Sequence, residues 1–284
     1  MSGPVGPAAV RIRGLAAGYG GVPAVVGVDL DVAPGEIVML FGPSGCGKST
    51  VLRTLAGLLT PLAGSIEVDE RPVAGTSRER ALVFQEDALL PWRTAFGNVE
   101  FALALRGEPR YRRRMEANHL LKQVALSGFE QHLPQQLSGG MRQRVQLART
   151  LAAHPRVMLM DEPFGALDAQ TRRAMQNLLL EVWKEYRTTV VFVTHDIEEA
   201  LLLGDRIVVM TPRPARVKTI VEVGPACGSR AERNVSRARY EVLAHLGDGT
   251  ADTTGESDVG AAQTHDAEPS NVDIRVVEDE EATR

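Results

Sequence analysis

The chain is poor in cysteine, with only Cys46 and Cys227 among its 284 residues. That excludes a disulfide framework, and Cys46 falls in a glycine-rich loop where a structural bridge is not expected. Long apolar runs are also missing. None approaches the ~20 residues that cross a bilayer. Met1 to Ala9 lacks the basic and apolar regions of a signal peptide, so a cytoplasmic chain with a flexible N-terminus over residues 1–9 is expected. No internal repeat is present. What remains is ordinary for a globular protein of one large or two small domains, with 44% hydrophobic and 24% charged residues. The net charge of −4 hides an asymmetry, because residues 249–284 hold ten acids and two bases. The other residues hold 26 acids and 30 bases. Residues 248–284 carry no sustained periodicity and read as an acidic disordered tail. The mildly basic body suits a nucleotide-binding protein and gives no reason to expect nucleic acid as a partner.

The strongest local signal is Gly42-Pro43-Ser44-Gly45-Cys46-Gly47-Lys48-Ser49-Thr50. It follows the apolar run Ile37 to Phe41, which reads as a buried strand, and precedes a helix from Val51 to Ala56. The spacing fits G-x-x-x-x-G-K-S/T, a phosphate-binding loop. Glycines let backbone N–H groups turn inward around an anion, and the helix end adds its dipole. Lys48 is placed to reach the β- and γ-phosphates, and the Ser49 hydroxyl to hold Mg2+. Around it, strands are expected at Val10–Leu15, Val25–Val32, Gly64–Val68 and Arg80–Gln85, together an antiparallel opening. From Thr94 to Gln136 the periodicity turns helical. Thr94 reads as the cap of a helix to Leu105, and a second helix runs from Tyr111 to Leu126. The arginines at 110 and 112–114 read as a solvated face. Later segments alternate strand and helix, the pattern of a parallel sheet covered on both faces. The last helix is expected from Ser236 to Leu246.

Two further stretches bear on chemistry. Val157 to Asp161 is an apolar run ending in Asp161-Glu162. Carboxylates at the end of a buried parallel strand sit where ligands bind. Asp161 is positioned to hold Mg2+ and Glu162 to accept a proton from an attacking water. Leu137-Ser138-Gly139-Gly140 opens the helix Met141 to Ala153. It reads either as a helix with Ser138 as N-cap or as a second anion nest. One phosphate loop has no obvious need of a second nest on the same nucleotide, and that tension points to a partner.

Leu137-Ser138-Gly139-Gly140 followed by Met141-Arg142-Gln143-Arg144 resembles the signature motif of the ATP-binding-cassette (ABC) family. The resemblance covers Val10 to Leu246, and the other motifs come in order. It implies that Tyr19 stacks on adenine, that Gly42 to Thr50 is the Walker A loop, and that Gln85 is the Q-loop glutamine touching Mg2+. It also implies that Asp161 and Glu162 are Walker B and the catalytic base, Asp168 the D-loop, and His195 the switch histidine. Taken singly, Tyr19, Gln85 and His195 would be unremarkable. The implied fold is α/β, a RecA-like parallel-sheet core with an antiparallel β subdomain and an inserted helical subdomain near residues 94–136, all within 10–247. The Leu89-Leu90-Pro91-Trp92 segment is similar to importers of nitrate, sulfonates and taurine, and Arg213-Pro214-Ala215-Arg216 to a turn of that subgroup with Ala215 in place of glycine.

The resemblance implies an ATPase with ATP and Mg2+, working as a head-to-tail pair of copies. Each ATP would lie between Lys48, Ser49, Asp161 and Glu162 of one copy and Ser138, Gly139, Gly140 and Gln143 of the other. Two integral-membrane permease subunits and, indirectly, a solute-binding protein are the implied partners, at the cytoplasmic face of the membrane. Leu89, Leu90 and Trp92 fit a docking surface, with local core packing an equal reading for Trp92. A bulky thiol reagent at Cys46 is expected to inhibit, with ATP protecting. The alternatives are a soluble ABC clamp acting on nucleic acid or an assembly complex, and a P-loop small-molecule kinase.

Overall fold

The computed structural model describes residues 6–86, 88–226 and 232–247. By internal contacts the chain divides into Met1–Asp248 and Gly249–Arg284. Cys227 and the acidic stretch 248–284 lie outside the described residues, and so do the expectations attached to them.

Apolar residues on both faces put a strand at the centre of a layered sheet. Strand β3 (Ile37–Phe41) is buried at every position, as are β7 (Val157–Asp161) and β8 (Thr189–Thr194). With β6 (Arg80–Val83), β9 (Arg206–Met210) and β10 (Val217–Glu222) they form a sheet in the order β10-β9-β3-β8-β7-β6. All neighbours in it are parallel except β10 on β9. The two-residue period sorts side chains between two cores. Ile37, Met39, Met158, Met160, Val190 and Phe192 join the core under the helices. Their neighbours Val38, Leu40, Leu159, Val191 and Val193 join a second core with the other sheet.

That second sheet is antiparallel, in the order β2-β1-β4-β5. Its strands are β1 (Val10–Tyr19), β2 (Val22–Val32), β4 (Ala63–Val68) and the short β5 (Arg71–Pro72). The expected antiparallel opening is therefore corrected in one respect. Arg80–Val83 pairs in parallel with β7, residue for residue from Arg80↔Val157 to Val83↔Met160. Its register belongs to the core sheet, and the strand stops before Gln85. Within the N-terminus expected to be flexible over residues 1–9, the described Ala8 and Ala9 are tied down. Ala8 is buried, its carbonyl accepts from Thr189 Oγ1 at 2.6 Å, and Ala9 N–H donates to Asp69 Oδ1 at 2.8 Å.

The helices follow their caps. Helix α1 (Lys48–Leu55) starts directly from the glycine-rich loop. Thr94 caps α2 (Ala95–Leu105), its Oγ1 accepting from Gly97 N–H at 3.0 Å. Helices α3 (Arg110–Gln123) and α4 (Gly139–Ala152) pack with α2, so the helical subdomain extends past Gln136 into α4. Helix α5 (Ala169–Tyr186) and α6 (Ile197–Leu203) cover the helical side of the core, and α7 (Glu232–Gly247) buries Ala238 and Val242. No helix among the described residues is long and apolar enough to cross a membrane.

Candidate active site

Parallel strands deliver their C-terminal ends to one edge of the sheet, the place where such folds bind ligands. Here β3 runs into Gly42, β7 into Glu162, β8 into His195, and β6 ends just before Phe84-Gln85. The register pairs Phe41 with Thr194, Asp161 with Val193 and Val83 with Met160. Motifs far apart in sequence are brought together by the sheet.

A cavity of about 350 Å³ opens at this edge, lined by Ser44, Gly45, Gly47, Lys48, Ser49, Thr50, Gln85, Asp161 and Glu162. Gly47 is required twice over. Its φ is +123°, and an added Cβ would stand 2.6 Å from Val25 Cγ1 and 3.0 Å from the Ala24 carbonyl. Lys48 is buried, with Nζ donating to the carbonyls of Gly42 at 2.8 Å and Pro43 at 2.9 Å. The loop thus bends around its own lysine, and the carbonyls of Gly42 and Pro43 accept from it rather than line the cavity. Ser49 Oγ donates to Asp161 Oδ1 at 2.7 Å. Burial holds the Asp161 carboxyl above the usual carboxylate range, while the bond from Ser49 and the charge of Arg53 pull the other way. A hydroxyl, a carboxylate and the nearby Gln85 amide are hard oxygen donors of the kind that suits Mg2+ shared with phosphates.

Glu162 follows Asp161 in a left-handed conformation, φ +45°, with its N–H on the Val193 carbonyl at 3.1 Å. Its Oε2 lies 3.0 Å from His195 Nδ1. His195 is exposed and lines a separate small cavity of about 40 Å³ behind Glu162. Tyr19 lies outside the phosphate cavity at the end of β1, half-exposed, with Arg53 Nη1 donating to its Oη at 3.0 Å.

Ser138, Gly139 and Gly140, expected at a second copy's nucleotide, stand outside their own chain's phosphate cavity. Ser138 is exposed and caps α4, its Oγ accepting from Met141 N–H at 3.3 Å. An added Cβ on Gly140 would lie 2.4 Å from Thr171 Cγ2, so this glycine serves close packing against α5. Gln143 is only 7% exposed and its Nε2 donates to the Gln85 carbonyl at 3.4 Å. Its side chain thus ties α4 to the loop that carries Gln85. Asp168 caps α5, with Oδ1 accepting from Gln170 and Thr171 N–H groups, and the Thr171 backbone bond holds its carboxyl below the usual range. Leu89 is buried in the core, whereas Trp92 is 73% exposed, which settles the open reading in favour of an outward Trp92.

Cys46 is corrected as well. It is buried, packs in the core shared with the antiparallel sheet, and turns away from the cavity. A Cys227→Ser chain should therefore react with a bulky thiol reagent slowly, and ATP should change the labelling rate by less than about two-fold. Rapid labelling that ATP suppresses would place Sγ inside the nucleotide cavity.

Sequence reasoning missed the residues that carry the Gln85 loop. Gln146, fully buried on α4, donates to the carbonyls of Phe84 at 3.4 Å and Glu86 at 3.2 Å. Arg149 Nη1 donates to the Ala88 carbonyl at 2.8 Å. Buried Asn98 does the same for the following turn, with Leu90, Arg93 and Thr94 as partners. The spacing of polar residues at 143, 146 and 149 on one helical face was the available signal. Another cleft, of about 770 Å³, lies at the opposite end of the sheet near Glu36 and Arg206. Its charges are already paired, Arg206 with Glu36, Arg11 with Asp31 and Asp69 with Arg156, so it does not compete as the reactive site.

Comparison with known proteins gives the same picture. The family described as ABC transporter matches residues 25–165. The taurine import ATP-binding protein TauB of Yersinia pestis bv. Antiqua is 50% identical over 208 residues, 73% of this chain and 82% of that protein. TauB of Chromobacterium violaceum is 54% identical over 199 residues, 70% of this chain and 76% of that protein. Among solved structures, the dimeric cassette MJ0796 bound to ADP and Pi superposes with a TM-score of 0.68 at 33% identity, over 76% of this chain and 99% of that one. CbiO1 of Clostridium perfringens, part of the cbiONQ transporter complex, gives 0.70 at 26% identity, over 84% and 97%.

Proposed function

The chain belongs to the ABC transporter family as an ATP-hydrolysing subunit of a small-solute importer, and on that premise we propose that two copies form a clamp driving uptake of taurine or a related small sulfonate. The observation that carries the clamp is the separation of two anion nests in one chain. Ser44, Gly45 and Gly47 to Thr50 line the phosphate cavity, while Ser138 to Gly140 stands outside it. A second copy placed head to tail would present its Ser138 end to the first copy's nucleotide.

In this reading the backbone of Ser44 to Thr50 and the Lys48 ammonium bind the β- and γ-phosphates. Tyr19 offers a half-exposed ring to the adenine. Ser49, Asp161 and Gln85 are the residues that would hold Mg2+, which when bound neutralises charge on the phosphates. Glu162 accepts the proton of the attacking water. His195, 3.0 Å away, holds that carboxylate in orientation. The γ-phosphate passes to water, leaving ADP and phosphate, so the kinase alternative lacks support. Binding energy closes the clamp and hydrolysis reopens it. The domain comprises residues 10–247.

Transport requires the motion to leave the chain. Trp92 follows the Gln85 loop and stands out from the surface, where a permease helix can meet it. Its partners in this proposal are two permease subunits, served by a solute-binding protein, which would hold the chain at the cytoplasmic face of the membrane. The test is taurine uptake into vesicles holding the reconstituted complex, driven by enclosed ATP. Uptake without ATP hydrolysis, or hydrolysis indifferent to every small sulfonate, contradicts the proposal. Trp92→Ser should lower co-purification with the permease about tenfold, as loss of a central aromatic anchor does. Tyr240, 75% exposed on α7, serves as control, and its serine variant should co-purify normally.

A further inference from the structure

We propose that Arg172 is a positioning residue that locks the loop carrying Glu162 to the loop carrying His195. It stands in the first turn of α5, where the sequence marks only an ordinary helix start. Its guanidinium reaches in three directions. Nε donates to the Phe164 carbonyl at 3.3 Å, Nη2 donates to the Leu167 carbonyl at 2.9 Å, and Nη1 lies 3.5 Å from Asp196 Oδ2. A rigid planar fork can hold such a three-way geometry, whereas a lysine ammonium on a flexible stem cannot.

Each end of this brace is next to the reactive pair. Residues 162–168 form a loop that parts from β8 after the Glu162 N–H bond to Val193, held within itself by Gly165 N–H to the Glu162 carbonyl at 3.1 Å and Leu167 N–H to the Phe164 carbonyl at 3.2 Å. Glu162 has a backbone conformation that non-glycine residues rarely adopt, and such a conformation persists only when its surroundings over-determine it. On the other side, Asp196 directly follows His195. Its Oδ1 caps α6 through Glu198 N–H at 2.8 Å, which leaves Oδ2 for Arg172. Glu162, Arg172, His195 and Asp196 all line the cavity of about 40 Å³ behind the reactive carboxylate. The Arg172–Asp196 pair is about one-third exposed, and an ion pair at such a site adds little to stability. Its consequence is placement: without it the loops beyond Glu162 and His195 lose their side-chain tie, and the 3.0 Å contact between His195 and Glu162 loses that support.

The inference rests on the reading of Glu162 as the base. The experiment measures phosphate release by the full chain with Arg172→Met and Arg172→Lys. Arg172→Met should lower kcat about tenfold, with KM for ATP and nucleotide affinity within about two-fold, because misplacement of a reacting group acts on the rate. Arg172→Lys should recover part of the loss. In a His195→Ala chain, adding Arg172→Met should cost nothing further. A wild-type kcat for Arg172→Met, or a loss that multiplies with that of His195→Ala, overturns the proposal. So does a fall in melting temperature with unchanged kcat per folded molecule. If Arg172→Met does not fold, Arg172→Lys alone and combined with His195→Ala makes the same comparison. The two readings fail separately. A wild-type rate for Glu162→Gln sinks the base itself, whereas a slow Glu162→Gln beside a wild-type Arg172→Met sinks only the brace.

Discussion

Glu162→Gln will bind ATP with ordinary affinity and hydrolyse it about a hundred- to ten-thousand-fold more slowly, the range lost with a general base. The substitution keeps the side-chain volume and removes only the ability to take a proton. The backbone anchors stay, since they run through the Glu162 N–H to Val193 and the Glu162 carbonyl to Gly165. The phosphate grip also stays, since it comes from the loop and from Lys48. The rate of phosphate release and the affinity for a fluorescent ATP analogue separate the two effects. A variant that turns over at the wild-type rate removes Glu162 from the chemistry, and a variant that no longer binds ATP places it in binding instead.

Ser138→Arg will abolish hydrolysis, by about a hundred-fold or more, while monomer affinity for nucleotide stays within about two-fold. Donors aimed at transition-state charge contribute on this scale. Ser138 is exposed and outside its own chain's cavity, so a long cation there does not disturb that cavity. It does block the surface where another copy's nucleotide would rest. Loss of the N-cap bond to Met141 costs about 1 kcal/mol of stability. Ser138→Thr retains the cap and should retain most activity, which separates capping from contact. Lost affinity in the isolated Ser138→Arg monomer would mean that Ser138 belongs to its own chain's site.

Legibility in the sequence followed the physics of each signal. The phosphate loop was readable because glycine spacing, a preceding apolar strand and a following helix are all local. Helix α2 was readable to the residue because Thr94 supplies its cap and Gly107 its stop. The strand at Arg80–Val83 was placed in the wrong sheet, because a short half-buried run carries no mark of whether its partner is parallel or antiparallel. Gln143 belongs to the stretch that the family resemblance assigns to a second copy's nucleotide, and its position along α4 also turns it toward the Gln85 loop of its own chain. Only three-dimensional helix phase decides that. Arg172 left no trace in the sequence, since its partners Phe164, Leu167 and Asp196 are met through folding. Cys46 sits in the loop by sequence and beneath it by structure, because alternate residues of a tight turn point to opposite sides.

In the proposed clamp the phosphate loop is half of one site, with Ser138 to Gly140 of a second copy as the other half. The most direct measurement of that claim is the solution mass of the Glu162→Gln chain, by light scattering, with ATP and with ADP. The account predicts that Mg2+ and ATP double the mass, that ADP does not, and that adding Ser138→Arg prevents the doubling. A Glu162→Gln chain that is saturated with ATP and remains a monomer contradicts it.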